Sequence, residues 1–148
     1  MNTVARAALV VLAIAATTAA EARDDRLKFP IQAAMETGKS TRTALDPSIR
    51  LYFGQQKTPA VAKTMGEWTS NKKTNAANKS DQEACEIAFV SAALSLQDRA
   101  KKEGGNAVIN IRSVYKNDNV ESASEYLCGA GTFMAGVALR GTVVTLKK

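Results

Sequence analysis

Ser80 to Tyr115, SDQEACEIAFVSAALSLQDRAKKEGGNAVINIRSVY, decides how this chain is built. SDQE is a capping box: the Ser80 hydroxyl can accept from the Glu83 N–H, and Glu83 can reach back. Asp81 and Glu83 also suit the positive end of a helix dipole. Cys85, Phe89, Ala92, Leu96 and Ala100 then recur at intervals of three and four, and Ile87, Val90 and Leu94 widen the stripe. Gln97, Asp98, Arg99, Lys101 and Lys102 crowd the last turns, and Gly104-Gly105 stops the helix. The pattern predicts an amphipathic helix over Asp81–Glu103 with Cys85 in its first turn. The β-branched run Asn106–Tyr115 predicts a strand, with Ala107, Ile109, Ile111 and Ser113 on one face and Val108, Asn110, Arg112 and Val114 on the other.

Outward from this unit the signals weaken. Lys116–Asn119 is a turn. SEYLCGAG begins a strand ending near Cys128, and the chain after Gly131 ends in a long final strand. On the N-terminal side, Ile49–Gly54 alternates as a short strand. Gln55–Lys79 is rich in Asn, Lys, Ser and Thr and reads as a long surface loop or weak hairpin. Leu27–Thr37 has β character with Pro30 inside it, which suits an edge or a strand start; Arg23–Lys28 reads as loose. The expected class is α+β, one long helix packed on a mainly antiparallel β-sheet.

Residues 1–22 carry the three parts of a secretory signal. Arg6 gives a positive start, Ala7–Ala20 an apolar run, and Ala20-Glu21-Ala22 an A-x-A cleavage site. The run is too short and alanine-rich for a good membrane span, and no later segment suits one. Residues 23–148 are then expected to form a single α+β domain in the periplasm. Removing residues 1–22 takes away one Arg and one Glu, so the net charge stays +6. A basic surface favours anionic partners. In an oxidising compartment, Cys85 and Cys128 read as a disulfide closing 43 residues, worth about 4 kcal/mol on chain-entropy grounds. The competing reading is one buried and one reactive thiol.

Several chemistries are closed. AAMETGKS, Ala33–Ser40, meets a permissive phosphate-loop pattern, but Ala33 replaces the first glycine and Asp46-Pro47 ends any following helix. The expectation is a strand followed by a polar turn, with no ATP bound. CGAGTFMAG, Cys128–Gly136, lacks the helix and distant acid of a dinucleotide site, so it reads as a bend or bulge between strands where small residues let another backbone approach. The chain has no histidine, which excludes His-based triads and His-containing zinc sites. No catalytic residue, metal or cofactor is expected. Trp68, Lys72 and Lys73 are the candidate partner-binding residues, because an aromatic among lysines can stack while the lysines hold phosphates. The competing reading has Trp68 folding its segment onto the core beside solvated lysines.

IRLYFGQQKTP, NKKTNAANKSDQEACEIAFVSAALSLQDRAKKEGGNAVINIRSVY and LCGAGTFMAGVALRGTVV together resemble a family of small exported bacterial proteins whose relatives often carry a label referring to an excinuclease ATPase subunit. The phosphate-loop and zinc motifs that such a label requires are missing. AKKEGGNAVINIRS, Ala100–Ser113, more loosely resembles the helix-Gly-Asn-Ala-Val-strand unit of YbjQ-like domains and of the Rcs envelope-stress sensor lipoprotein. That likeness implies a small α+β domain and carries over no functional residue; the sensor's lipid-attachment cysteine is absent. The expected function is therefore non-enzymatic: binding, or an envelope-stress role, with an envelope protein or an anionic polymer as partner. The alternatives are a basic-loop binder of nucleic acid or another polyanion, and an enzyme built from loop carboxylates, lysines and Tyr115 or Tyr126. Export is tested by N-terminal sequencing of the native protein, which should begin at Arg23; an intact Met1 on the soluble cytoplasmic protein would reject it.

Overall fold

The last strand organises the sheet. The computed structural model describes residues 22–40 and 44–148; apart from Ala22, the expected signal segment lies outside the described residues. The order is β1 (Asp25–Pro30), α1 (Ile31–Ser40), β2 (Arg50–Phe53), β3 (Val61–Asn75), α2 (Asp81–Glu103), β4 (Ala107–Ser113), β5 (Glu125–Ala130) and β6 (Met134–Leu146). On one side β6 pairs with β3 over its whole length, from Asn75 opposite Met134 to Val61 opposite Leu146. On the other side it pairs first with β5, at Gly136 and Ala135, and then with β4, from Leu139 to Val144. β5 carries β1 and β4 carries β2, so the sheet forks. All pairs are antiparallel except β2–β4. The protein is α+β with a curled mixed sheet, and the described residues form two helices rather than one.

α2 occupies the residues its pattern predicts. The Ser80 hydroxyl accepts from the Glu83 N–H at 3.1 Å. Gly104 ends the helix at φ 78°, and the Gly105 N–H donates to the Ala100 carbonyl at 2.8 Å. Ala84, Ala88, Ala92, Ala93 and Ala100 are all 0% exposed. Small side chains at these positions let the helix axis approach the sheet closely. Between them Phe89 stacks on Phe53 at 5.7 Å and lies 4.5 Å from the Tyr126 ring. Cys85 and Cys128 are bonded, with Cα atoms 5.9 Å apart. Tyr126 and Cys128 share the inner face.

Four expectations fail for identifiable reasons. Ile31–Ser40 is a helix, not a strand running into a turn. Ile31, Ala34 and Gly38 are buried at helical spacing and Pro30 precedes the first turn; that period was legible but masked by the β-rich residues before it. Asp25–Pro30 is ordered because β5 pairs with it at every residue. Val61–Asn75 is a strand, not a loop. As an edge strand it turns few residues inward, chiefly Trp68 and Ser70, so no apolar alternation marks it. In β4 the alternation breaks at Asn110, which has φ 52°, and the register shifts between Ile109 and Arg112. The bulge puts Val108 and Ile111 together in the core under α2, while Ala107 and Ile109 join a cluster with Val144 and Leu146.

The face of the sheet opposite α2 seats Tyr115 over glycine. A Cβ at Gly129 would lie 2.2 Å from its Cζ, so no other residue fits there. This is the close approach expected of CGAGTFMAG, made by a ring rather than a backbone. Arg26 lies 4.8 Å from the ring centroid. The phenol donates to Asp24 Oδ1 at 3.3 Å. Asp24 also pairs with Lys116, and with Arg26 at 2.8 Å, while Arg26 reaches Asp118 at 2.8 Å.

One buried polar side chain closes the opposite side of the core. Gln97 is 2% exposed, although its neighbours suggested a polar turn. Its Nε2 donates to the carbonyls of Asp46, at 2.9 Å, and Ile49, at 2.8 Å, and its Oε1 accepts from the Asp46 N–H at 2.9 Å. Lys101 pairs with the Asp46 carboxylate at 2.6 Å. Gln97→Leu removes all three bonds and strands the backbone groups, so denaturant unfolding should show a loss of about 2–3 kcal/mol. Acid should act through the carboxylates. Lys116, and then Arg26, hold the Asp24 carboxyl down at about 2; Lys101 lowers that of Asp46, and Arg23 that of Asp81. A lowered carboxyl contributes stability above its unfolded value of about 3.9, and that contribution fades as pH falls toward the folded value. The thermal midpoint should therefore drop between about pH 4 and pH 2, and Asp24→Asn should flatten part of that drop.

Candidate functional site

β3 and α2 enclose a groove that no other element among the described residues lines. Strand alternation sends Trp68, Ser70 and Lys72 toward α2, opposite Gly141, Leu139 and Val137 of β6. Lys73, opposite Gly136, goes to the other face, where a Cβ at Gly136 would meet both Lys73 and Tyr115. All three candidates Trp68, Lys72 and Lys73 line the groove or its recess, but the Lys73 side chain leaves toward the other face of the sheet.

The facing wall is one side of α2. Ser91, Leu94, Ser95, Asp98, Arg99 and Lys102 are spaced by three and four residues and line the groove together. At one end a hollow of about 230 Å³ lies between Trp68, Ser70, Leu96, Arg99 and Lys102. It continues past Ser95 and Asp98 into a wider recess of about 600 Å³ beside Lys72.

The chemistry of the lining is specific. Ser70 is 5% exposed and its hydroxyl has no hydrogen-bond partner among the described residues. A buried hydroxyl without a partner is costly and marks a place where one is needed. Arg99 lies 5.5 Å from the Trp68 ring centroid, so one indole face is already occupied by a cation. Trp68 also packs against the core, as the competing reading of its role required. Its immediate neighbours are strand residues, not a loop. Lys72 on β3 faces Asp98 on α2 across the opening, with Arg99 and Lys102 on the same helix as Asp98; Asp98 is itself 3.9 Å from Lys101 and Arg99 is 3.3 Å from Glu103. The Ser91 hydroxyl donates to the Ile87 carbonyl at 2.9 Å, so the positive character of the rim comes chiefly from Lys72 and Lys102.

The alternative catalytic residues do not converge. Tyr126 is in the core under α2, and burial raises its phenol, with Glu86 adding to the shift. Tyr115 is on the opposite face, where burial, and then the Asp24 charge, raise its phenol as well. Both shifts disfavour a phenolate. Among the described residues no group of three or more His, Cys, Asp or Glu side chains is placed to hold a metal ion, and no helix is long and apolar enough to cross a membrane.

The phosphate-loop pattern falls on α1 in a reversed sense. Phosphate sites use the free N–H groups at the start of a helix. Here Gly38, Lys39 and Ser40 form the end of α1, the negative end of its dipole. Gly38 is a packing residue: a Cβ there would lie 3.2 Å from Val90 of α2. The groove residues on α2 were missed in the sequence because they fall on the helix's polar face, which reads as solvated. Serines at positions 91 and 95, inside an otherwise apolar stretch, were the available signal. No protein-family model and no curated protein matches the chain, so the reading of the groove rests on its own chemistry.

Proposed function

We propose that this chain is an exported, periplasmic binding domain without turnover, and that the groove between β3 and α2 takes an anionic ligand. The Ser70 hydroxyl supports the reading: it is buried, has no partner among the described residues and lies in a hollow lined by Arg99 and Lys102, with Asp98, that opens toward Lys72. An anionic oxygen entering there would accept from the hydroxyl and replace water around the cations. The groove's length along β3 suits an extended polyanion, such as an acidic or sulfated glycan, better than a single ion. Export is supported by the tripartite start of the chain, and a disulfide suits an oxidising compartment. An envelope location also fits the proposed resemblance to a family of small exported bacterial proteins.

The test uses a built-in reporter. Trp68 is the only tryptophan and stands in the groove. Titration of the oxidised mature protein with heparin should change its emission saturably and lose affinity steeply with salt. Lys72→Gln/Arg99→Gln/Lys102→Gln should weaken binding by at least about tenfold, as expected when three anion contacts go. An unaltered affinity in that variant, or no response of the wild type, would remove the groove from consideration.

A further inference from the structure

The turn between β5 and β6 carries a feature that the groove does not use. Phe133 is 73% exposed and Met134 50% exposed. They adjoin at the tip of a hairpin, and the only other exposed large apolar residue among those described is Val61, which pairs with Leu146 at the far end of β3. The tip is held from both sides. The Gly131 N–H donates to the Met134 carbonyl at 2.9 Å, and the Ala76 N–H to the Phe133 carbonyl at 2.8 Å. Two large apolar side chains are thus held in water on a firmly bonded turn.

The surroundings are basic. The segments that build this end, 71–79 and 126–139, contain Lys72, Lys73 and Lys79 and no acid. Lys73 pairs two residues along from Met134's partner, Asn75, and the Lys79 N–H donates to Ala76 at 3.2 Å. Among the described residues none of these lysines has a carboxylate partner. Asp25 and Asp81 at the adjoining strand and helix starts are both engaged by Arg23, at 2.8 Å and 2.6 Å. Arg23 offsets only one of those two, Asp24 beside them is held by Lys116 and Arg26, and Glu83 lies in the first turn of α2, so Lys72, Lys73 and Lys79 leave this end with a small positive excess.

The geometry points to a shallow contact with an anionic membrane surface, in which Phe133 and Met134 enter the headgroup boundary and Lys73 and Lys79 meet lipid phosphates. Two side chains are far too little for a stable protein interface, which needs about 800 Å² from each partner. A bilayer boundary demands no matching shape, and it combines apolar burial with attraction for lysine. Because the tip is already fixed by backbone bonds, little ordering accompanies insertion. The apolar tip lies outside the groove, whose wider recess it adjoins at Lys73.

Flotation of the oxidised mature protein with vesicles tests it. The protein should float with phosphatidylglycerol/phosphatidylcholine vesicles at low salt and much less with phosphatidylcholine alone. Phe133→Ser/Met134→Ser should cut the bound fraction by about tenfold while leaving the heparin response of Trp68 and the unfolding midpoint unchanged. In Phe133→Trp the added emission should be quenched by brominated lipid. Equal flotation of the double variant, absence of wild-type flotation with anionic vesicles, or an unquenched Trp at position 133 would each overturn the assignment.

Discussion

The hydrogen bonding of β6 is the constraint on which the rest of the molecule depends. One thirteen-residue strand serves β3 along its full length on one side and β5 and then β4 on the other. No element outside the helices is more than two pairings from it. The fork leaves room between its branches for Phe53, Ile111 and Tyr126, which meet Phe89 from α2. The disulfide secures the start of α2 to the β5 branch, and Gln97 secures its later part to the loop leading into the β2 branch. The helix is therefore tied to both arms of the fork as well as packed on its stem.

How legible this was depended on whether an element's order comes from its own residues or from its partners. α2 declares itself through a cap, a stripe and a glycine stop, and its limits match those in the structure. β5 and β6 are dense in apolar and β-branched residues and were readable too. β3 was not, because an edge strand with one solvated face needs no apolar pattern; its order comes from thirteen paired positions on β6. Asn110 shows a finer failure. Alternation assumes an uninterrupted pleat, and a single left-handed residue shifts every later side chain by one face.

The candidate site shows the same division. Trp68 and Lys72 were conspicuous in sequence. What makes the place a groove, Ser70 without a partner and the Ser91/Ser95/Arg99 side of α2, arises only where two distant segments face one another. Lys73, adjacent to Lys72, ended on the other face because neighbours in a strand point oppositely. A cluster of like residues in a strand is thus two half-clusters in space.

The fork has a further effect on how the molecule keeps to itself. A simple sheet has two open edges; this one has three, β1, β2 and β3, each with unsatisfied backbone groups able to template another chain. Each is blunted differently. β1 is short and highly charged, with Pro30 at its end, where it lacks an N–H to offer. β2 has four residues, too few to hold a foreign strand. β3 is long enough to be dangerous, and its register is broken near Lys63 and Gly66 while lysines at 63, 72 and 73 repel a second basic copy. The lysine-rich, asparagine-rich composition that made β3 look like a loop is also what allows a fifteen-residue edge strand to remain exposed without seeding aggregation.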